Sequence, residues 1–365
     1  MIVGLVLMGG SIVMIWMLLA LWPPKATKLS TPKEWPRISI LVPARNEEAN
    51  LRHLLDNLLA QDYPQGHLEI LIADDGSEDA TPEIISEYTD QHSHIVEVRV
   101  GPHLGHARAK ANALAYLAKA ASTDLWLFTD ADMVIPPHWA RSMVSAWVYH
   151  RPALVSAPVL TYPNSRFGEL QRVEGLMAWG MIKLATERKH AVTVAGNNLL
   201  VTRSAYERVG GFEAIKDSIT EDFALYQAIV GQKMRVEHAF HPQVVLETLP
   251  APKLEDLLSQ RKRWMHGALQ LPKWLVALLT LQALYPIGWW LVGIVNPGLA
   301  IGLGLGKLIL QVSWLQKVSR ALQSEDYGPG MWVYEIYSAF LSPVQLLYYL
   351  LPTAERWKGR KLHKA

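Results

Sequence analysis

Cysteine is absent from the 365-residue chain. That removes disulfides, zinc–thiolate centres and thiol catalysis from what the protein can do, and it fits a reducing compartment. Charge is scarce as well: Asp, Glu, Lys and Arg make up 19% of the residues, below the roughly 25% of ordinary soluble domains. The 35 basic and 33 acidic side chains leave a formal net charge of +2, which gives no reason to expect nucleic acid as a partner. No internal repeat or low-complexity segment is visible. What is plentiful is apolar: half of the residues are hydrophobic and 14 are Trp, so membrane segments are expected. The length suits about two domains' worth of structure.

Ile2 to Trp22 carries no charge and has about the 20 residues needed to cross a bilayer core. A cleavable signal peptide would need a basic start and a small-residue cleavage site. This stretch starts without Lys or Arg and runs into Trp22-Pro23-Pro24, so it is expected to stay as an anchor. Lys25, Lys28, Lys33 and Arg37 follow it, and the positive-inside rule places the next segment in the cytoplasm. Three further hydrophobic blocks lie near the other end: Trp274 to about Val295, Pro297 to Leu315, and Met331 to Leu351. An outside N-terminus and a cytoplasmic tail bearing Arg356, Lys358, Arg360, Lys361 and Lys364 require an odd number of spans, whereas one plus three is even. Either one block lies in the interface or the tail faces outward. The Lys253 to Trp290 region with Pro286, and the last block with Glu335 and Pro343, are the two candidates for an interfacial or re-entrant piece.

Between these segments the pattern alternates. Strands are expected at Ile38–Pro43, Leu68–Ala73, Ile95–Val100 and Leu125–Phe128. Helices are expected from an Asn46 cap through Ala60, after Thr81-Pro82, and over Ala107–Ala120. Such alternation predicts an α/β fold with a doubly wound, mainly parallel sheet. Farther on, Phe167–Arg188 has helical character and Val192–Thr202 looks like a strand containing Gly196-Asn197-Asn198. Thr220-Glu221-Asp222 opens a helix, with Thr220 as its cap, and strands are expected near Lys233–Glu237 and Val244–Thr248. Lys253–Leu271 reads as an amphipathic helix able to lie on a membrane surface.

In parallel sheets ligands collect at the carboxyl ends of strands. There Asp130-Ala131-Asp132 presents two hard oxygen ligands suited to Mg²⁺ or Mn²⁺ shared with phosphates, although a solvated turn has the same letters. Asp74-Asp75-Gly76-Ser77 ends the second strand, where carboxylates can accept from ribose hydroxyls or a base N–H; Asp-Gly-Ser is also simply a good turn. Arg108 and Lys110 offer cations to a diphosphate or form a solvated helix face. Glu221 and Asp222 suit a helix N-terminus through its dipole, or supply a general base. Gln260, Arg263 and Trp264 fall at i, i+3 and i+4 and share one helix face. That face offers an amide, a guanidinium for diphosphate and an aromatic platform. Arg261 and Lys262 are expected to point elsewhere, toward anionic lipid headgroups.

Taken in order, Pro43-Ala44-Arg45-Asn46-Glu47, Asp74-Asp75-Gly76-Ser77, Lys110-Ala111-Asn112-Ala113-Leu114, Asp130-Ala131-Asp132, Thr220-Glu221-Asp222 and Gln260-Arg261-Lys262-Arg263-Trp264 resemble the membrane-bound family 2 glycosyltransferases. The resemblance covers about Ile38 to Leu271. It implies a glycosyltransferase A fold with flanking transmembrane helices, a nucleotide-diphospho sugar donor (UDP- or GDP-sugar), a divalent metal (Mg²⁺ or Mn²⁺) and inversion at the anomeric carbon. On that resemblance Asp74 or Asp75 holds the nucleoside and Lys110 lies near the diphosphate. Asp132 with Asp130 brings in the metal, Asp222 aided by Glu221 is the base, and Gln260, Arg263 and Trp264 close over diphosphate and acceptor. The implied organisation is an anchor over 1–24, a cytoplasmic catalytic domain over 36–250 and an amphipathic interface helix over 251–273. Transmembrane or interfacial helices follow over 274–352, with a basic cytoplasmic tail over 353–365, in an integral protein such as one of a bacterial inner membrane.

The Gln-x-x-Arg-Trp signature occurs in processive polysaccharide synthases and in enzymes that glycosylate a lipid once, such as ceramide glucosyltransferases. The chain is short for a synthase, and a polymer channel normally needs more helices. Single transfer to a lipid-like hydroxyl acceptor of glycolipid, sterol or carotenoid type is therefore expected. The alternatives are a small processive synthase and a catalytically silent membrane scaffold, the latter being expected to have lost carboxylates that are all present here.

Overall fold

The structure is a computed structural model. It describes the chain except for residues 23–25, 189, 191, 217–219, 269, 325–327, 352–355, 358–359 and 362–365, and the side chains at 268, 356–357 and 360–361. Pro23, Pro24 and Lys25 lie outside the described residues, as do Lys358 and Lys364 of the expected tail. The described part of that tail is a short antiparallel pair, Arg356–Trp357 with Arg360–Lys361.

The chain divides into two compact units. One comprises Met1–Lys25, Thr161–Val192 and Pro250–Glu355, the other Ala26–Leu160, Thr193–Leu249 and Arg356–Ala365. In chain order the elements are α1 (Ile2–Ala20), β1 (Ile38–Ala44), α2 (Leu51–Leu59), β2 (Leu68–Asp74), α3 (Thr81–Gln91), β3 (Ile95–Glu97), α4 (Lys110–Ala120), β4 (Leu125–Phe128), β5 (Met133–Val134) and α5 (Trp139–Val148). They continue with β6 (Leu154–Ser156), β7 (Val159–Thr161), α6 (Arg166–Glu187), β8 (Leu199–Thr202), α7 (Arg203–Arg208), α8 (Gly211–Ala214), α9 (Glu221–Gly231), β9 (Val236–His238) and β10 (Leu246–Thr248). The last four helices are α10 (Leu254–Ala268), α11 (Lys273–Val295), α12 (Pro297–Ala321) and α13 (Gly328–Leu350).

The sheet unit is built on seven strands in the order β3-β2-β1-β4-β8-β6-β9. β1 runs parallel to both β2 and β4, and β2 parallel to β3. Every residue of β1 and β4 is buried, as expected of strands covered on both faces. Their inward Ile, Leu and Val join Leu51, Leu54, Leu55 and Leu58 of α2 and Trp139 and Met143 of α5 in one continuous core. β8 departs from the parallel rule: it runs antiparallel to β4, pairing Phe128 with Leu199, and antiparallel to β6. Its lead-in therefore sits at the carboxyl rim of β4, the end at which Asp130 and Asp132 emerge.

Two expected elements are shorter than their letters suggest. The helix expected from Asn46 begins at Leu51, with Asn50 at its cap. Asn46 takes a left-handed φ of 53°; its N–H donates to Ser77 Oγ and its Oδ1 accepts from the Glu78 N–H, both at 2.9 Å. The expected strand Val192–Thr202 shrinks to β8. Asn198 is fully buried, and its amide donates to the carbonyls of Pro158 and Val244 while accepting from Trp139 Nε1. These bonds replace a ladder with a turn.

In the helical unit α1, α11 and α12 are long and apolar enough to cross a membrane. α11 runs antiparallel to α1: Gly4 faces Gly288 and Val292, Gly10 faces Leu281, and Ser11 Oγ donates to Gln282 Oε1 at 2.6 Å. α12 returns, so that Trp314 packs edge-on against Trp22 and Lys317 donates to the Leu19 carbonyl. α13 is the block left over. It carries Glu335, which pairs with the fully buried Lys307 of α12 at 2.6 Å, and it packs Leu341 against Leu257 and Leu258 of α10. α6 belongs to this unit as well, with Gly180 against Trp314 and Val318, a division that boundaries of 36–250 do not make.

Candidate active site

The rim of the sheet unit gathers four charged side chains from three elements. Lys110 opens α4, directly after Ala109, whose φ of 47° and ψ of −128° are costly for a residue with a Cβ. Its ammonium lies 2.6 and 2.8 Å from the two oxygens of Asp130 and 3.5 Å from Glu221 Oε1. Asp222 follows at the start of α9. Its Oδ2 accepts from the Gly196 N–H and its Oδ1 from the Phe223 N–H, each at 2.8 Å. A Cβ on Gly196 would stand 2.5 Å from Asp222 Cβ and Oδ2, so the carboxylate rests on a backbone that only glycine leaves open.

Electrostatics follow from burial. The Glu221 carboxyl is pushed up to about 7 by burial, against the pull of Lys110. Burial also raises Asp222, opposed by Lys110 and then by the amides of Phe223 and Gly196. Burial alone would lower Lys110, but Asp130 and then Glu221 hold it above the usual range. Ionised, Asp130, Glu221 and Asp222 place three negative charges around this one cation, with the partly buried Asp132 beside them. Among the described residues no group of three or more His, Cys, Asp or Glu is disposed to hold a metal by itself. The residues fit a Mg²⁺ or Mn²⁺ ion that draws its remaining ligands from water and phosphate, with hard carboxylate donors and a negative excess. Lys110 engages both Asp130 oxygens, so Asp130 would meet such an ion as a carboxylate already partly neutralised.

Asp74 behaves as a turn residue here, accepting from the Ser77 N–H at 3.2 Å and from the Ser77 hydroxyl. Asp75 is buried, and its N–H donates to the Ala44 carbonyl at 2.9 Å. Arg45 Nη1 donates to the carbonyls of Asp75 and Gly76. The Pro43-to-Glu47 stretch thus clamps the Asp74–Ser77 loop. Arg108 lies before α4, exposed, with its Nη1 donating to the Gly105 and Ala107 carbonyls. Thr220 holds the N-cap position of α9 without a side-chain capping bond; Asp222 takes the Phe223 amide instead.

Gln260, Arg263 and Trp264 lie on α10, in the helical unit. Trp264 is 53% exposed. The expectation that Arg261 and Lys262 reach lipid headgroups is corrected. Arg261 pairs with Glu174 of α6 through Nε and Nη2, both at 3.0 Å, and Lys262 is buried, donating to the Leu351 carbonyl at 2.6 Å. Helix–helix packing, not solvent, takes these cations. Gly196-Asn197-Asn198, for which the sequence alone suggests no role, supplies the seat of Asp222; its signal in the sequence is a glycine and two amides interrupting an apolar strand.

The family model of Glycosyl transferase family 21 matches residues 3–364. The chain is 31% identical over 237 residues to the poly-beta-1,6-N-acetyl-D-glucosamine synthase of Staphylococcus epidermidis, covering 63% of this chain and 54% of that protein. It is 28% identical over 243 residues to the beta-monoglucosyldiacylglycerol synthase of Trichormus variabilis, covering 64% and 49%. The chain thus spans about half the length of the curated relatives it matches. Among solved structures, the mannosyltransferase PcManGT from Pyrobaculum calidifontis, in complex with GDP-Man and Mn²⁺, superposes with a TM-score of 0.59 at 19% identity over 95% of this chain and 97% of that one. The α/β fold is that of these glycosyltransferases. The motifs resemble family 2, whereas the family whose model covers the chain is numbered 21.

Proposed function

Because the chain belongs to Glycosyl transferase family 21, we propose that it is an inverting, metal-dependent glycosyltransferase that moves one sugar from a nucleotide-diphospho sugar to the hydroxyl of a lipid-like acceptor in the membrane. The observation that carries this reading is the Asp222 carboxylate, seated on the Gly196 and Phe223 amides beside the Lys110–Asp130 pair. The two amides fix its direction, and burial makes it a stronger base than an exposed aspartate, so it takes the proton of the attacking hydroxyl. Lys110 offsets negative charge at the diphosphate end, while burial holds Glu221 toward its neutral form and so limits its repulsion of Asp222. A Mg²⁺ or Mn²⁺ ion held by Asp132, with Asp130, would supply charge neutralisation for the leaving diphosphate. Asp75 and the Arg45-clamped loop suit the nucleoside, while Gln260, Arg263 and Trp264 suit the diphosphate and acceptor. An inverting displacement needs no covalent protein nucleophile, in keeping with a chain free of cysteine.

Three helices are long and apolar enough to cross a membrane. With those three as the spans and α13 as an interfacial piece against α10, an outside N-terminus and an inside catalytic unit would agree with Lys28, Lys33 and Arg37 after α1. The lipid acceptor is supported by the relative named for glucosyldiacylglycerol. A second reading, a small processive synthase, is supported by the polysaccharide synthase relative. Membranes carrying the protein, given a panel of nucleotide sugars, should form a lipid-phase product bearing a single sugar by mass spectrometry; a ladder of lengths would favour the synthase. Asp222→Asn should abolish transfer while nucleotide-sugar binding survives, and an active Asp222→Asn enzyme would sink the assignment of the base.

A further inference from the structure

The guanidinium of Arg261 is used on every side. Its Nε and Nη2 donate to the two oxygens of Glu174, both at 3.0 Å, forming the fork that fixes a planar pair in one orientation. Its remaining Nη1 donates to Gln260 Oε1 at 3.2 Å. Its Cζ lies over the Trp264 ring, 4.1 Å from the centroid. The pair is largely shielded, with 12% of the Arg261 side chain and 23% of Glu174 exposed. Gln260 and Trp264, two of the residues read above as donor ligands, are thus both touched by a third residue that α6 holds in place. The contact to Gln260 has a direction. With Oε1 engaged by Arg261, the amide turns its Nε2 donors away from that contact, the orientation needed to meet a phosphate or sugar oxygen. An indole that is half exposed has little packing to fix its plane, and the Arg261 guanidinium supplies it.

We propose that Glu174 and Arg261 are positioning residues, which set the orientation of Gln260 and Trp264 for the nucleotide-sugar donor. This rests on the reading of Gln260 and Trp264 as donor ligands. Neither Glu174 nor Arg261 touches the donor; both act through the amide and the indole. Lys in place of Arg261 keeps the charge but loses the fork and the stacking plane, so it cannot substitute.

The test uses the full chain in its membrane, with initial rates across a titration of whichever of UDP-glucose, UDP-N-acetylglucosamine or GDP-mannose supports transfer. Glu174→Gln and Arg261→Lys are each expected to raise the donor KM about tenfold with kcat within about threefold, the mark of lost binding common to ground and transition states. Trp264→Ala is expected to raise KM at least as much, and Glu174→Gln combined with Trp264→Ala to lose clearly less than the product of the two single effects, the remainder acting through Gln260, since residues acting through one another are not additive. A lower kcat at unchanged KM would mean only a loss of folded enzyme and would overturn the proposal. So would a wild-type donor KM in both Glu174→Gln and Arg261→Lys while Trp264→Ala is impaired, or fully additive losses. If Trp264→Ala and Gln260→Ala themselves leave donor KM unchanged, the reading of α10 as a donor site fails first and the positioning role falls with it.

Discussion

Gly196→Ala is the smallest change that bears on the proposed base. The added Cβ would lie 2.5 Å from Asp222 Cβ and Oδ2 and 2.8 Å from Cγ, where ordinary contact starts at 3.4 Å. The carboxylate must retreat by about 1 Å, and the 2.8 Å bond from the Gly196 N–H is lost with it. A misplacement of that size costs about 10²-fold in rate, or about 2.7 kcal/mol of barrier. Overpacking should add about 1–3 kcal/mol of destabilisation, a fall in Tm of about 2–4 °C per kcal/mol for a unit of this size. The assay is kcat at saturating donor and acceptor, measured beside thermal unfolding in detergent, so that the folded fraction can be normalised out. Gly231→Ala is the control: it closes the same helix, and a Cβ there meets nothing within 4 Å, so kcat should not change. A Gly196→Ala enzyme with kcat within about threefold of wild type would refute the view that the Asp222 carboxylate works from its seat on this backbone.

Three further outcomes are expected. In EDTA, Glu221 has a folded pKa of about 7 against an ordinary 4.5, so the stability it contributes is present below about pH 4.5 and lost as pH rises toward 7. By then it has cost about 3 kcal/mol; Glu221→Gln should therefore gain in Tm relative to wild type across that window, and a constant difference would contradict the buried-acid account. Chelation should stop transfer and added Mn²⁺ or Mg²⁺ restore it, with Asp132→Asn raising the metal concentration for half-activity at least tenfold; metal-independent turnover would end the ion's role. Lys307→Met strands a shielded Glu335 and should cost about 3–5 kcal/mol in detergent unfolding, whereas Lys307→Met with Glu335→Leu should recover most of it; a single variant as stable as wild type would show that the pair contributes nothing.

Much of this architecture is legible in the chain because it is written locally. Leu125–Phe128 is a strand because four apolar residues in a row leave no polar face, and the turn residues after it end it where expected. The charged residues at strand and helix ends were likewise visible one by one. What could not be read depends on partners far away in sequence. Asn46 has the letters of a helix cap, yet Ser77 and Glu78, more than thirty residues on, capture its backbone and side chain. The reversal of β8 is set by its pairing with β4, and no periodicity records strand direction. Arg261 and Lys262 look like surface charge until Glu174 and the Leu351 carbonyl, 87 and 89 residues away, are brought to them. Likewise, two carboxylates at a strand end announce a possible ion, but the competing hold of Lys110 on Asp130 appears only in three dimensions.

The close fit of α1 against α11 has a consequence in time. Ser11 and Gln282 are 271 positions apart, so a ribosome adding about 5–20 residues per second makes α1 wait roughly 15–50 s for its partner. Throughout that interval its glycine face and the Ser11 hydroxyl lack this partner, while the sheet unit through Leu249 is synthesised and free to fold on the tether. The helical unit can close only as translation nears its end, by docking late helices onto the first one. Slowing or truncating synthesis beyond residue 249 should therefore leave a folded sheet unit on an unpartnered anchor, detectable as a protease-resistant core that remains membrane-bound.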